Sequence, residues 1–225
     1  MCRALKEQPR TRHIPVVMFT ALGRDVDRRM AAEAGADGYV TKPFTAELAG
    51  YLRRHLEASR RTGFSGALGL SHMELRGRKI LMEYSPSTPY ERCVRDFLEA
   101  RAYGEGVAVL SPSTSALHRA LLGDEAVELV PVTPQTILSP ILDAHRDEPL
   151  ALVYDNLTDH ALSAGFEAAY GFAQETLRRL DEPRFTAIFL LNPEAHESRE
   201  VHGFRGLFGD QVSYGEQGLE KIRLL

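Results

Sequence analysis

The chain has 225 residues, 44% of them hydrophobic, and a formal net charge of −4 at pH 7, with an isoelectric point near 6.1. That is enough for one large or two modest globular domains, and the acidic balance excludes the global basic field behind non-specific nucleic-acid binding. The two cysteines, Cys2 and Cys93, match no metal, redox or disulfide spacing, and no apolar run approaches the roughly 20 residues of a membrane span. The expectation is a cytoplasmic protein with neither nucleic-acid nor membrane partners.

Along the chain, "IPVVMFTA" from Ile14 to Ala21 is a continuous apolar run rich in β-branched residues, the pattern of a strand buried on both faces. "RDVDRRMAAEAGA" follows as a short helix, acidic at its front and with Gly35 near its end. "DGYVTKPF", Asp37 to Phe44, reads as a second strand that ends at Lys42 and Pro43. Thr45 is placed to cap a second helix along which Leu48, Leu52 and Leu56 recur every four residues. Residues 1–61 therefore read β-α-β-α.

From 62 to 78 the pattern dissolves into glycines without a sustained apolar period, which predicts a linker. Residues 79–225 alternate again. Predicted strands start at Lys79, Val107, Val127, Leu150 and Thr186, with "QVSY" and "KIRLL" as further candidates at the end. Predicted helices run over Tyr90 to Tyr103, Ser115 to Leu122, Ile137 to His145, Gly165 to Leu180 and Ser198 to Phe208. Strands alternating with helices predict a mainly parallel sheet covered by helices on both faces, a three-layer α/β domain.

The run of "PVVMFTA", "AGADGY" and "TKPF" in register resembles the carboxyl-terminal half of the receiver domain of two-component response regulators, a flavodoxin-like fold. In that family the strand-end threonine, here Thr20, binds a phosphoryl oxygen, and the strand-end lysine, here Lys42, pairs with the phosphoaspartate. The resemblance further implies an inward-swinging aromatic at Tyr39 and a cis peptide before Pro43. Independently, an ammonium at the carboxyl end of a parallel strand faces the crevice where α/β sheets bind anions. The segment lacks the acidic pair and phosphoacceptor aspartate that precede these positions in the family. It is thus read as a truncated receiver that cannot accept phosphate alone, and an amino-terminal part outside this chain is one way to complete it. Its apolar strand edge needs a cover, and a protein partner or a second copy is expected. A sensor kinase enters only if the missing half is supplied.

In residues 79–225 the first strand runs into "SPSTPYER", where a phosphate loop would read G-x-x-x-x-G-K-[S/T]. Neither glycine nor lysine is present. Ser87 and Thr88 could hold a small anion through hydroxyls and amides, or could simply cap the helix that starts at Pro89. "LALVYDN" ends in Asp155, an acid placed as the Mg²⁺-binding aspartate of a nucleotide site or as a helix cap. The layout resembles the RecA/KaiC-like P-loop ATPases without their phosphate loop, which implies a pseudo-ATPase with no cofactor, no metal and no catalysis. A KaiC-like nucleotide-binding regulator with a non-standard loop, and a fragment of a phospho-accepting response regulator, are the alternatives. His160, Asn192, Glu194 and His196 join Asp155 beyond predicted strand ends, a set that could serve metal binding or acid-base chemistry but follows no ligand spacing. His13, His55, His72, His118, His145 and His202 are assigned surface or packing roles.

Overall fold

The computed structural model describes residues 2–7, 16–20, 26, 30–31, 34, 36, 38–42, 64–70, 72–99, 105–132, 138–146 and 148–225. The chain divides into two compact units, Met1–Ser59 and Arg60–Leu225.

In the first unit, helix α1 (Cys2–Glu7) precedes strands β1 (Val17–Thr20) and β2 (Gly38–Thr41). The strands pair in parallel with Val17 opposite Gly38 and Thr20 opposite Thr41. Parallel pairing requires a crossover, and the described residues between them, Val26, Met30 and Ala31, are helical. Thr45 and the helix predicted beyond it lie outside the described residues.

The second unit begins where a linker was expected, and here the structure corrects the reading. Residues 62–78 include two short helices, α2 (Phe64–Ala67) and α3 (His72–Leu75), and Phe64, Leu68 and Leu75 are at most 2% exposed within the core. Their apolar residues are few but large, so burial rather than periodicity holds the segment. Then follow β3 (Lys79–Tyr84), α4 (Tyr90–Glu99), β4 (Gly106–Ser111), α5 (Ala116–Leu121), β5 (Glu128–Pro131), α6 (Ser139–Ala144) and β6 (Leu150–Tyr154). The remainder is α7 (Leu157–Ala164), α8 (Phe166–Arg179), β7 (Phe185–Leu191), α9 (Ser198–Leu207), β8 (Asp210–Gly215) and β9 (Gly218–Arg223).

These strands form a seven-stranded sheet in the order β5-β4-β6-β7-β3-β8-β9, parallel except for the β8-β9 hairpin. Strand side chains alternate between two cores. Ile80, Met82, Val107, Val109, Ala151, Val153, Ile188 and Leu190 meet α2 to α5 on one face. Leu81, Ala108, Leu110, Leu150, Leu152, Ala187, Phe189 and Leu191 meet α6 to α9 on the other. The three-layer α/β architecture with a mainly parallel sheet is as expected. Doubly covered strands need no polar face, which is why their sequences read as unbroken apolar runs.

Each helix follows from local chemistry. In α4, Tyr90, Cys93, Val94, Phe97 and Leu98 are buried at spacings of three and four. Ser115 caps α5 by accepting the His118 N–H, and Asn156 caps α7 by accepting that of Asp159. Helix α7 is absent from the sequence reading, which began a single helix at Gly165. Gly165, at φ +91°, turns the chain between α7 and α8 in a conformation other residues rarely adopt. Among the described residues, no helix is long and apolar enough to cross a membrane.

Candidate functional site

In the first unit the backbone sets Thr20 and Lys42 side by side: the Lys42 N–H donates to the Thr20 carbonyl at 2.8 Å. The Lys42 side chain is exposed. Tyr39 lies in β2 opposite Met18, while Pro43 lies outside the described residues.

In the second unit the carboxyl edge of the sheet collects Ser85–Thr88 after β3, Ser111–Ser115 at the end of β4, Asp155–His160 after β6 and Asn192–His196 after β7. Open parallel sheets place ligand sites at this edge. The connection from β3 to α4 is only Ser85 to Pro89, against the roughly eight residues with which a phosphate loop wraps its anion. Its three hydroxyls are engaged within the connection. The Thr88 N–H and hydroxyl both donate to the Ser85 carbonyl, at 3.0 and 2.7 Å. The Ser85 and Ser87 hydroxyls bond one another at 3.0 Å. Directly flanking the loop, the Tyr84 and Tyr90 rings stack with centroids 4.1 Å apart. Burial raises both phenol pKa values, and the charge of nearby Asp155 adds to the rise.

Asp155 is completely buried. The Ser111 hydroxyl donates to its Oδ2 at 2.6 Å, the Ser115 hydroxyl lies 2.6 Å from that of Ser111, and the Asn156 amide approaches Oδ1 at 3.3 Å. Burial pushes the Asp155 carboxyl above its ordinary range, the hydrogen bonds from Ser111, Ser115 and Asn156 oppose the rise, and the Asp159 charge adds to it. The aspartate is therefore turned toward β4 and α5 and occupied by their hydroxyls.

The predicted constellation of Asp155, His160, Asn192, Glu194 and His196 separates into different roles. His160 Nδ1 bonds the Tyr154 hydroxyl at 2.8 Å in a buried pair, and burial lowers its pKa. The Asn192 side chain caps the turn at Pro193–Ala195 by accepting the Glu194 N–H at 3.1 Å. His196 lies with its Nδ1 3.2 Å from Glu200 and its Nε2 3.1 Å from the Thr158 hydroxyl, which also accepts the Asn192 N–H at 2.9 Å. Thr158 and Glu200 were missed in the sequence, although the four-residue spacing of His196 and Glu200 on a predicted helix start was a usable signal. A hydroxyl, imidazole and carboxylate in series is the order of a nucleophile, base and orienting acid. Here the hydroxyl is on a residue 4% exposed and accepts a backbone N–H, so the chain ties the loops after β6 and β7 to α9.

A cleft of about 240 Å³ opens beside these loops, lined by Glu83, Tyr84, Ser85, Glu194, Tyr214 and Glu220 among others. Glu83 is paired with the Arg205 guanidinium through two contacts of 2.6 and 2.7 Å. Among the described residues no group of three or more His, Cys, Asp or Glu could hold a metal ion.

No protein-family model matches the chain. Part of it is similar to response regulators. The phosphate regulon transcriptional regulatory protein PhoB of Rhizobium meliloti is 36% identical over 76 residues, 33% of this chain and 34% of that protein. The response regulator PleD of Caulobacter vibrioides is 54% identical over 43 residues, 19% of this chain and 10% of that protein. The chain thus spans about a third or less of these relatives. Among solved structures, a protein of Pyrococcus horikoshii OT3 superposes with a TM-score of 0.55 at 11% identity, over 73% of this chain and 93% of that one, a likeness of fold. A type III secretion ATPase of pathogenic bacteria aligns at 0.44 with 14% identity, over 63% of this chain and 52% of that one. An ATP synthase subunit of Nanoarcheaum equitans aligns at 0.49 with 10% identity, over 63% and 48%.

Proposed function

We propose that this chain is a non-catalytic signal-transduction protein of two-component type, in which a partial receiver joins a RecA-like domain that works through protein contacts rather than nucleotide hydrolysis. The observation that carries the reading is the engagement of Asp155. A carboxylate that holds Mg²⁺ or orients water must present a lone pair to the site, and this one is wholly buried and bonded to Ser111. The short Ser85–Pro89 connection agrees, because its Thr88 amide and hydroxyl point back at Ser85. Similarity of part of the chain to PhoB and PleD supports the signalling half, as does the adjacency of Thr20 and Lys42 at two parallel strand ends. A protein partner or a second copy is the expected target.

Phosphate release from Mg²⁺·ATP checks the catalytic half of this reading. The expected rate equals the protein-free blank, both for the native chain and for Asp155→Asn. Turnover above blank that disappears in Asp155→Asn would assign Asp155 the catalytic duty denied here.

A further inference from the structure

At the opposite edge of the sheet, where the strands begin, one histidine sits between two carboxylates. His145, just past α6, places Nε2 2.7 Å from Glu128 Oε2 and Nδ1 2.6 Å from Glu148 Oε1. Glu128 is the first residue of β5, and Glu148 precedes β6. Both distances are those of charge-assisted hydrogen bonds. Carboxylates only accept, so both contacts are satisfied together only when both ring nitrogens carry protons. A neutral ring would turn a lone pair toward one of the two glutamates.

The ring is seated in a built position. Gly106, at the start of β4, leaves the space: a Cβ there would collide with His145 Nδ1 and lie 2.9 Å from Glu148 Oε1. The Gly106 N–H donates to the Pro149 carbonyl at 2.7 Å, which holds β4 against the Glu148 loop. From the segment before β7, Arg184 donates to the carbonyls of His145 and Arg146 at 2.9 and 2.8 Å and fixes the backbone beneath the ring. Among the described residues, the charged groups around the ring are Glu128 from β5, Glu148 from the loop before β6 and the Arg184 guanidinium, itself paired with Glu182 at 2.8 Å. Glu105, beside Gly106, faces Arg76 at 3.7 Å.

Strand β5 is the strand most in need of such a tie. It is four residues long, lies at the sheet edge, pairs among the described residues with β4 alone and exposes Glu128 and Pro131. We propose that His145 is a protonation-operated latch that fastens the amino end of edge strand β5 to α6 and the Glu148 loop, closed with two ring N–H groups and released when one is lost. Burial opposes the charge on His145, but the hydrogen bonds to Glu128 and Glu148 outweigh it and raise its pKa. The sign follows: for a base with a raised folded-state pKa, the tie is fully present below the ordinary histidine value of about 6.5 and is lost as pH climbs through the raised value.

The test uses the full chain. The His145 ring is titrated by NMR, and the Val130 and Val132 amides, the alternate N–H groups of this edge strand that face β4, are followed by hydrogen exchange, corrected for intrinsic rates, from pH 5.5 to 8.5. The expected midpoint lies above about 6.5. Protection of the two amides should fall by about tenfold for each unit by which that midpoint exceeds the free side chain's. In Glu128→Gln the midpoint should drop and the pH dependence shrink, and in His145→Gln protection should be low throughout. A native midpoint at or below that of free histidine, or a pH-dependent loss of β5 protection that persists in His145→Gln, would overturn the latch. The first of these readings needs no variant to fold.

Discussion

Asp155→Ala is expected to destabilise the larger unit by about 3 kcal/mol while Asp155→Asn changes it by less than about 1 kcal/mol, measured by chemical denaturation at pH 7. Alanine removes the acceptor that serves Ser111, Ser115 and Asn156. Each buried donor left without a partner costs on the order of 1–3 kcal/mol, and the Ser111–Ser115 hydroxyl hydrogen bond of 2.6 Å, already present, survives and keeps the loss at the level of about one or two donors. Asparagine keeps an acceptor oxygen and removes a charge that burial penalises. Because the folded-state pKa of Asp155 is raised, the group favours the folded state most when protonated. Its contribution is greatest below the unfolded aspartate value of about 3.9 and declines as pH rises toward the folded-state value. Asp155→Asn should remove that slope. A loss in Asp155→Asn as large as in Asp155→Ala would mean that the negative charge itself is needed there, as a cation ligand would require.

The second large effect belongs to Phe189. It is fully buried in β7, between β6 and β3, with ring centroids 5.8 Å from Tyr154 and 5.2 Å from Phe208. Cutting a buried phenylalanine to alanine removes its transfer free energy and leaves a cavity, about 3–5 kcal/mol together. Domains of this kind hold only about 5–15 kcal/mol in all, so Phe189→Ala should lower the thermal midpoint by several degrees or more. The same substitution loosens Tyr154, whose hydroxyl anchors His160, so the His160 ring resonance should broaden or shift. An unchanged midpoint would contradict the two-faced core.

What was legible in the sequence follows from the physics of doubly covered sheets. "KILMEY", "VAVLS", "LALVYD" and "TAIFLL" announce themselves as strands because both faces are dry. Helix α7 was missed because Leu157 and Ala161 give it only a thin apolar stripe; its signal was polar, Asn156 as cap with Asp159 three residues on. The segment around Phe64, Leu68 and Leu75 looked like linker because glycines dilute it, yet three large side chains suffice to bind it to the core. At the candidate site, the position of Asp155 at a strand end could be read, but its orientation could not. The hydroxyl that captures it comes from Ser111, 44 residues earlier on the neighbouring strand. His145 was assigned to surface or packing because its partners, Glu128 and Glu148, meet it from two separate elements.

If Asp155 and the Ser85–Pro89 connection are engaged within the protein as proposed, the chain takes up no nucleotide, and titration with Mg²⁺·ATP while following the thermal midpoint of the native chain tests this most directly. A bound nucleotide at about 100 times its Kd would add about 2.7 kcal/mol of stability and raise the midpoint by a few degrees. The predicted result is no shift up to millimolar Mg²⁺·ATP. A midpoint that climbs with nucleotide concentration in the native chain and not in Asp155→Asn would contradict it.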